Sequence, residues 1–487
     1  MCPNIYGKDI YSSHLMKLSK RQKLLVALFF VWAFACAIYR IAPYFTSMIP
    51  LGYDPGVYRW IYLAYLDLAP RFHFTGHVPY WIMHEPLRGI LSVVVAKLWI
   101  SIDLFLTFWL WLFSIVGWFL VFLLVKKHSK RAAIFAMMLF WTSIIQYHAF
   151  ALCYYKQIIG IDLILILLYF RDNKKYRSSI PLLIALVLLH RTTTLYLGAT
   201  SFLYIVLQYI TTKKINFKFI YIWMISGIVW IALYGPLFSR LITDFFHPLV
   251  TTIGGAGIQG DFFSRREFRW FTMFLIVPTL YGVYMKIKNK DYDMIFSWLL
   301  VGVLRTSFGL LNAKRSELFL DLFMIVMTGY VLYFIIKKNK RRLRTLVYCW
   351  MFLQIMYYIW YVSNNNTPRI SSGELTSITS LQDILPSNGI VLGTDSFLSP
   401  RIAGYANRDW ITPGLSDMNK WTHTQRNQRW PMNGQDKCKM FSVYKDLNRP
   451  IYMRESKLFR IENIAGGTCF KLVREDSYHK LYEVILQ

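Results

Sequence analysis

Apolar runs long enough, or nearly long enough, to cross a lipid bilayer recur along the first three-quarters of this chain. They include Leu24–Tyr39, Leu104–Val125, Ala132–Tyr147, Leu195–Ile210, Phe219–Leu237, Met294–Leu311, Phe319–Ile336 and Leu346–Val362. A hydrocarbon core about 30 Å thick needs about 20 helical residues. Within it every backbone N–H and C=O must be satisfied inside the segment, so such runs are helices. About eleven spans fit residues 1–362 by this reading. Only 17% of the 487 residues are charged and 55% are hydrophobic, which excludes a soluble globule, a coiled coil and a disordered tail. The expected fold class is an α-helical polytopic membrane protein.

The formal net charge of +29 would point to nucleic acid in a soluble chain. Its placement says otherwise. Six segments between the runs (1–23, 126–131, 171–177, 212–218, 286–293 and 337–344) hold 25 Lys and Arg against 4 Asp and Glu, a net +21. Basic loops stay in the cytoplasm, so these segments and the N-terminus are expected inside, and no nucleic-acid partner is expected. No small-residue cleavage site follows the first apolar run, which reads as a retained span. Gly89–Ile100 is too short to span and contains Lys97, so it reads as a re-entrant or interfacial helix.

Residues 363–487 differ in kind: they are polar and contain no span. Asn388–Asp395 reads as a buried strand after a turn, Ser396–Ala406 as a helix, and Cys469–Val473 and Lys480–Leu486 as strands. A small extracytoplasmic α/β or α+β domain follows from this pattern. Cys438 and Cys469 are its only cysteines, and an oxidising compartment allows them to pair. Two unpaired thiols fit the sequence equally.

Outside the basic segments acidic residues are few, so each can be weighed. Asp54 opens a long loop (43–103) after the first span. It suits a general base for a hydroxyl, or a metal ligand; it also suits a turn before Pro55. Glu85 lies at the far end of that loop and suits either a helix-start carboxylate or the same site. Asp162 lies just inside a span, where an ionisable residue is costly. Lys156, Arg191, Lys314 and Arg315 sit at the same membrane face in short loops or tight turns, with Arg305 deeper. Their side chains suit a phosphate or pyrophosphate at headgroup depth. His148–Gly160 reads as one of these short loops. His73 and His77, with His84 nearby, could hold zinc only if a helix carried them, and Gly76 and Pro79 disfavour one. Gly254–Gly257 lacks the Lys-Ser/Thr of a phosphate loop and reads as a loop over a site.

The first span, the loop opening with Tyr53-Asp54-Pro55, the later Glu85-Pro86-Leu87 and a second acidic outer loop at Asp162 resemble the GT-C glycosyltransferases. These include protein O-mannosyltransferases, aminoarabinose transferases and oligosaccharyltransferases. The resemblance covers the architecture of the whole chain, a transmembrane module 1–362 and an extracytoplasmic domain 363–487. One departure stands out: the acidic pair of some members is the single Asp54 here. The resemblance implies a hexosyl- or pentosyltransferase that uses a polyprenyl-phosphate-linked sugar at the outer face. Its acceptor would be a cell-surface glycan, a glycolipid or a protein, and its chemistry an inverting displacement. Asp54 would be the base. Glu85 and Asp162 would position the acceptor or hold a divalent metal. Lys156, Arg191, Lys314 and Arg315 would bind the donor phosphate. A bacterial inner membrane is the favoured setting. Two other readings stay open: a polysaccharide polymerase or ligase with an isoprenoid-linked donor, and a transporter or flippase of lipid-linked sugars.

The charge placement makes a direct prediction. Reporter fusions after Arg131 and after Arg344 are expected to report a cytoplasmic location, and fusions after Val362 an extracytoplasmic one. Either basic cluster outside would overturn the topology and the location of the candidate site together.

Overall fold

A computed structural model describes residues 20–46, 49–51, 55–68, 91, 94–95, 97–98, 100–127, 129–214, 217–234, 265–308, 313–337, 341–368, 370–393, 399–406, 408–411, 438–439, 441–457 and 468–485. Helices dominate up to residue 365: α1 (Lys20–Thr46), α2 (Pro55–Leu68), α3 (Ile102–Lys126), α4 (Lys130–Trp141), α5 (Ile144–Ala151), α6 (Tyr155–Asp172), α7 (Tyr176–Leu189), α8 (Arg191–Thr212), α9 (Phe217–Tyr234), α10 (Arg265–Phe271), α11 (Met273–Lys288), α12 (Met294–Phe308), α13 (Ala313–Lys337) and α14 (Arg341–Asn365). Among the described residues four helices are long and apolar enough to cross a membrane, or five if the bent pair α4 and α5 forms one span.

The run Ala132–Tyr147 is not a single helix. α4 ends at Trp141 and α5 starts at Ile144, with a 49° bend between them. Ser143 restarts the chain as an N-cap, its Oγ accepting the Gln146 N–H at 3.1 Å. The expected loop His148–Gly160 is also corrected. Residues to Ala151 complete α5, and α6 begins at Tyr155 after a three-residue turn. Phe140 and Trp141 before the break and Ile144 and Ile145 after it are apolar, so hydropathy cannot register a two-residue break. Cys153 in that turn has φ 58°, a left-handed conformation that a non-glycine residue adopts at a cost of about 1–2 kcal/mol.

The basic helix ends gather on one side. Lys127 Nζ donates to the Asp172 carbonyl at 2.5 Å, which joins the ends of α3 and α6. The Arg171 guanidinium lies 5.3 Å over the Tyr204 ring, which adds α8. Gln208 Nε2 donates to the Tyr292 carbonyl at 3.1 Å beside the start of α12.

A buried polar cluster holds the α4–α5 break. Arg40, fully buried on α1, donates through Nε to the Tyr358 hydroxyl at 2.7 Å and through Nη2 to the Trp141 carbonyl at 2.6 Å and the Ser143 carbonyl at 3.4 Å. Gln354 Nε2 donates to the Thr142 carbonyl at 2.8 Å. Asp321 on α13 accepts from Ser143 Oγ at 2.7 Å and Gln146 Nε2 at 2.9 Å. The break thus has donors for the carbonyls that leave the helical ladder.

After α14 the chain builds a five-stranded sheet: β1 (Ile390–Gly393), β2 (Asp409–Ile411), β3 (Ile451–Ser456), β4 (Phe470–Glu475) and β5 (His479–Val484), in the order β2-β1-β3-β5-β4. β1 runs parallel to β2 and β3, and β5 antiparallel to β3 and β4. Helices α15 (Ser372–Thr379) and α16 (Ser399–Ala406) cover one face through Ile378 and Ile402. Phe441 and Tyr444 cover the other. Both faces being covered explains why all four residues of β1 are buried. Cys438 and Cys469 form a disulfide, with Cα atoms 5.7 Å apart.

A relay of hydrogen bonds pins α15 to the sheet. Buried Arg454 on β3 contacts His479 Nε2 on β5, which therefore accepts. His479 Nδ1 lies 2.8 Å from Ser377 Oγ, and Ser377 donates to Asp476 Oδ2 at 2.5 Å. Burial, then the Arg454 charge, push the His479 pKa down from its ordinary 6.5 to about 3. An unfolded chain therefore takes up a proton below about pH 6.5 that the folded domain refuses. Stability held by His479 is complete above pH 6.5 and is lost as pH falls toward 3. The hydrogen-exchange protection of β3 and β5 in the full chain, taken relative to the intrinsic exchange rate at each pH, should fall steadily as pH drops through that window. In His479→Gln that pH slope should flatten; an unchanged slope would remove His479 as its source.

Candidate functional site at the end opposite the basic loops

The opposite end of the bundle is aromatic. Tyr58 and Tyr62 on α2 pack on Tyr155 at the start of α6, with ring centroids 4.9 and 6.0 Å apart. Phe105 of α3 lies 5.5 Å from Tyr62 and 6.2 Å from Tyr155. Amphipathic α2 therefore lies across the starts of α3 and α6, with Lys156 next in sequence to the ring that it covers. Lys156 is the second residue of α6 and is buried.

The other expected cations stand at helix starts on this end. Arg191 is the first residue of α8, and Lys314 and Arg315 are the second and third of α13. The tight turn expected for Lys314, Arg315 and Glu317 is thus the beginning of a helix. Tyr196 of α8 stacks on Phe319 of α13 at 5.2 Å, which brings those two starts together. Arg305, near the end of α12, is buried and lies 4.9 Å from the centroid of the same Tyr196 ring. Gln157, next to Lys156 in sequence, is buried, and its amide has no hydrogen-bond partner among the described residues.

Asp162 lies deeper than a rim position. It is the eighth residue of α6, about 10 Å along the axis from its start. It is 5% exposed, and among the described residues neither carboxylate oxygen has a hydrogen-bond partner. It faces a cavity of about 10 Å³, room for one water, lined by Arg40, Ser114, Phe140, Gln146, Ile158 and Ile161. Gly117 on α3 makes the space, because a Cβ there would stand 2.7 Å from Asp162 Oδ1. Asp54, Glu85, the three histidines His73, His77 and His84, the Gly254–Gly257 loop and half of Gly89–Ile100 lie outside the described residues. Among the described residues no three His, Cys, Asp or Glu side chains form a group that could hold a metal ion.

Sequence reasoning missed Arg59 and Asp103. Arg59 Nη1 meets Asp103 Oδ2 at 2.5 Å, and Asp103 Oδ1 accepts from the Tyr405 hydroxyl of α16 at 2.9 Å. Burial, and then the Asp103 carboxylate, push the Tyr405 pKa up and keep its hydroxyl a donor. Asp103 follows Ser101, whose Oγ caps the start of α3 by accepting the Leu104 N–H at 3.0 Å. That Ser-x-Asp pattern before an apolar run was the available signal.

No family model matches the sequence, and a search of curated proteins finds no match. Solved structures do match. The Archaeoglobus fulgidus oligosaccharyltransferase, tethered with an acceptor peptide, is similar at a TM-score of 0.60 and 12% identity, over 90% of this chain and 69% of that one. ArnT from Cupriavidus metallidurans in the apo state is similar at 0.55 and 11%, over 95% and 98%; it has also been solved bound to undecaprenyl phosphate. The arabinofuranosyltransferase AftD from Mycobacteria is similar at 0.58 and 11%, over 94% of this chain and 40% of that one. All three are GT-C glycosyltransferases. The chain has the GT-C fold. At these identities the likeness is one of fold, and it bears out the expected architecture of a helical membrane module followed by a small C-terminal sheet domain.

The space that Gly117 leaves for Asp162 is testable. Gly117→Ala should lower stability by about 1–3 kcal/mol through overpacking. The loss should shrink when Asp162→Ala is added, read by thermal unfolding of the full chain in lipid. Additive losses would separate the two residues.

Proposed function

We propose that this protein transfers a sugar from a polyprenyl-phosphate-linked donor to an acceptor hydroxyl at the extracytoplasmic face of a membrane. The observation that carries this reading is the GT-C fold along nearly the whole chain, the C-terminal domain included, in common with ArnT. The layer of cations at helix starts supports it, since a lipid phosphate leaving group needs positive charge where its own charge develops. In this reading 1–362 is the catalytic module with about eleven spans, and 363–487 an outer domain that helps select a glycan, lipid or protein acceptor. The N-terminus is cytoplasmic, and a bacterial inner membrane is the favoured setting. The Cys438–Cys469 disulfide supports an oxidising compartment for the outer domain.

An acceptor hydroxyl is a poor nucleophile, so it needs a base. Asp54 is assigned that role, with Glu85 positioning the acceptor. As the acceptor oxygen attacks the anomeric carbon, the bond to the lipid phosphate breaks and configuration inverts. The acceptor proton passes to Asp54. Lys156, Arg191, Lys314 and Arg315 hold the departing phosphate. Asp162 lies buried beneath this layer, with no hydrogen-bond partner among the described residues. A polymerase or ligase would share this donor chemistry and differ only in the acceptor.

The tests separate base from phosphate site. Asp54→Asn should cut transfer in membranes by about 100-fold or more, the usual worth of a positioned base. Arg191→Ala and Arg315→Ala should instead weaken binding of undecaprenyl phosphate. Near-normal transfer in Asp54→Asn would end the base assignment, and unchanged lipid affinity in both arginine variants would end the phosphate assignment.

A further inference from the structure

The helix that follows Asp54 is gripped by the C-terminal domain. Arg59 stands one turn into α2. Its Nε donates to the Gly404 carbonyl of α16 at 2.9 Å, and its Nη1 meets Asp103 Oδ2 at 2.5 Å. Its guanidinium also lies 4.8 Å over the Tyr405 ring, and Tyr405 closes the circuit through its hydroxyl on Asp103. α2, the start of α3 and α16 thus meet in one ring of contacts. The backbones come close as well: a Cβ on Gly404 would collide with the Gly56 carbonyl, so only glycine fits there.

The grip holds both flanks of Asp54. On the far side Arg401, 2% exposed, donates to the Pro50 carbonyl at 3.4 Å. On the near side are Gly56 and Arg59, and one residue on Trp60 lies edge-on to Trp410 of β2 at 6.3 Å. A domain that hung from α14 only to collect acceptors would need none of these contacts. A fork that serves a carbonyl, a carboxylate and a ring at once is one that Arg offers and Lys does not.

We infer that the C-terminal domain sets the position of α2, the helix that follows Asp54 in sequence, with Arg59, Asp103 and Tyr405 as positioning residues that fix α2 against the start of α3. This inference rests on the sugar transfer proposed above. A reacting group displaced by about 1 Å loses about 100-fold in rate, so the effect falls on turnover. Donor affinity is set elsewhere, at the starts of α6, α8 and α13.

The test uses the full chain in native membranes, with endogenous donor and acceptor for turnover and undecaprenyl phosphate alone as the probe of the donor site. Arg59→Ala and Arg59→Lys should each lower turnover by about 100-fold while leaving undecaprenyl phosphate affinity and protein yield unchanged. Tyr405→Phe, which deletes one hydroxyl and keeps the ring, should give a smaller loss. The double variant Arg59→Ala, Tyr405→Phe should be no slower than Arg59→Ala, because the two residues act as one unit. Normal turnover in Arg59→Ala would overturn the inference, and so would lipid affinity and yield falling together with turnover, the mark of a general structural role. If the wild-type protein transfers no sugar at all, the proposed function falls by itself. The grip is then decided by hydrogen exchange of residues 55–68, which must quicken in Arg59→Ala; unchanged exchange would refute it.

Discussion

A guanidinium buried among helices decides how the rest of this bundle is arranged. In hydrocarbon an unpaired backbone carbonyl costs several kcal/mol, so a helix can break there only where another group supplies the missing donors. Arg40 supplies one to Trp141 and Gln354 one to Thr142, while the Ser143 carbonyl, which accepts the Tyr147 N–H at 3.0 Å, takes Arg40 as a second donor at 3.4 Å. The charge that Arg40 brings is not left alone. The Asp321 carboxylate feels it across the Ser143 and Gln146 hydrogen bonds, and the Trp141 ring lies 4.6 Å from the guanidinium. Removing one member of such a set leaves the others buried and uncompensated, which makes the break a fixed feature of the fold and not a soft joint.

What the break controls is the short helix after it. α5 leaves α4 at 49°, and its last turn feeds the tight Cys153 corner from which α6 returns. The strain at that corner is held by packing: Cys153 is buried, its Sγ donates to the Leu106 carbonyl at 3.4 Å, and Tyr155 is enclosed by rings from α2 and α3. Left-handed backbone at a non-glycine residue persists only where surroundings over-determine it, and functional sites are where it collects. The corner delivers Lys156 to the rim, and the same α6 carries Asp162 into the cavity beside Arg40. The rim and the buried cluster are therefore two ends of one device.

Much of this was legible in the sequence, and the parts that were not share a physical cause. Apolar runs and basic clusters announce the spans and their ends, and the strands at Ile390, Phe470 and His479 follow from local patterns. β3 did not, because Arg454 in its middle reads as solvent-facing, whereas the fold buries it against His479. α15 did carry a signal: Ser371 and Glu374 have capping-box spacing, and Ser371 Oγ accepts the Glu374 N–H at 3.1 Å. Arg59 is different again. Its partners are 44 and 345 residues away. No local pattern encodes a meeting of that separation; only packing of α16 on α2 does.

That packing bears on what the C-terminal domain is. A domain joined by a flexible linker samples orientations, and its contacts elsewhere are transient. Here the root of the domain is fixed. Asn366, just past α14, donates to the Tyr39 carbonyl at 2.7 Å and accepts from the Tyr147 hydroxyl at 3.0 Å, which ties it to α1 and α5. The far side is fixed too, by α16 on α2. Two attachments on different helices remove both swing and twist, and the root attachment lies on the same α1 and α5 that the Arg40 cluster organises. The sheet domain is accordingly built onto the helices, and the order at this end of the bundle is shared between those helices and the sheet domain beside them.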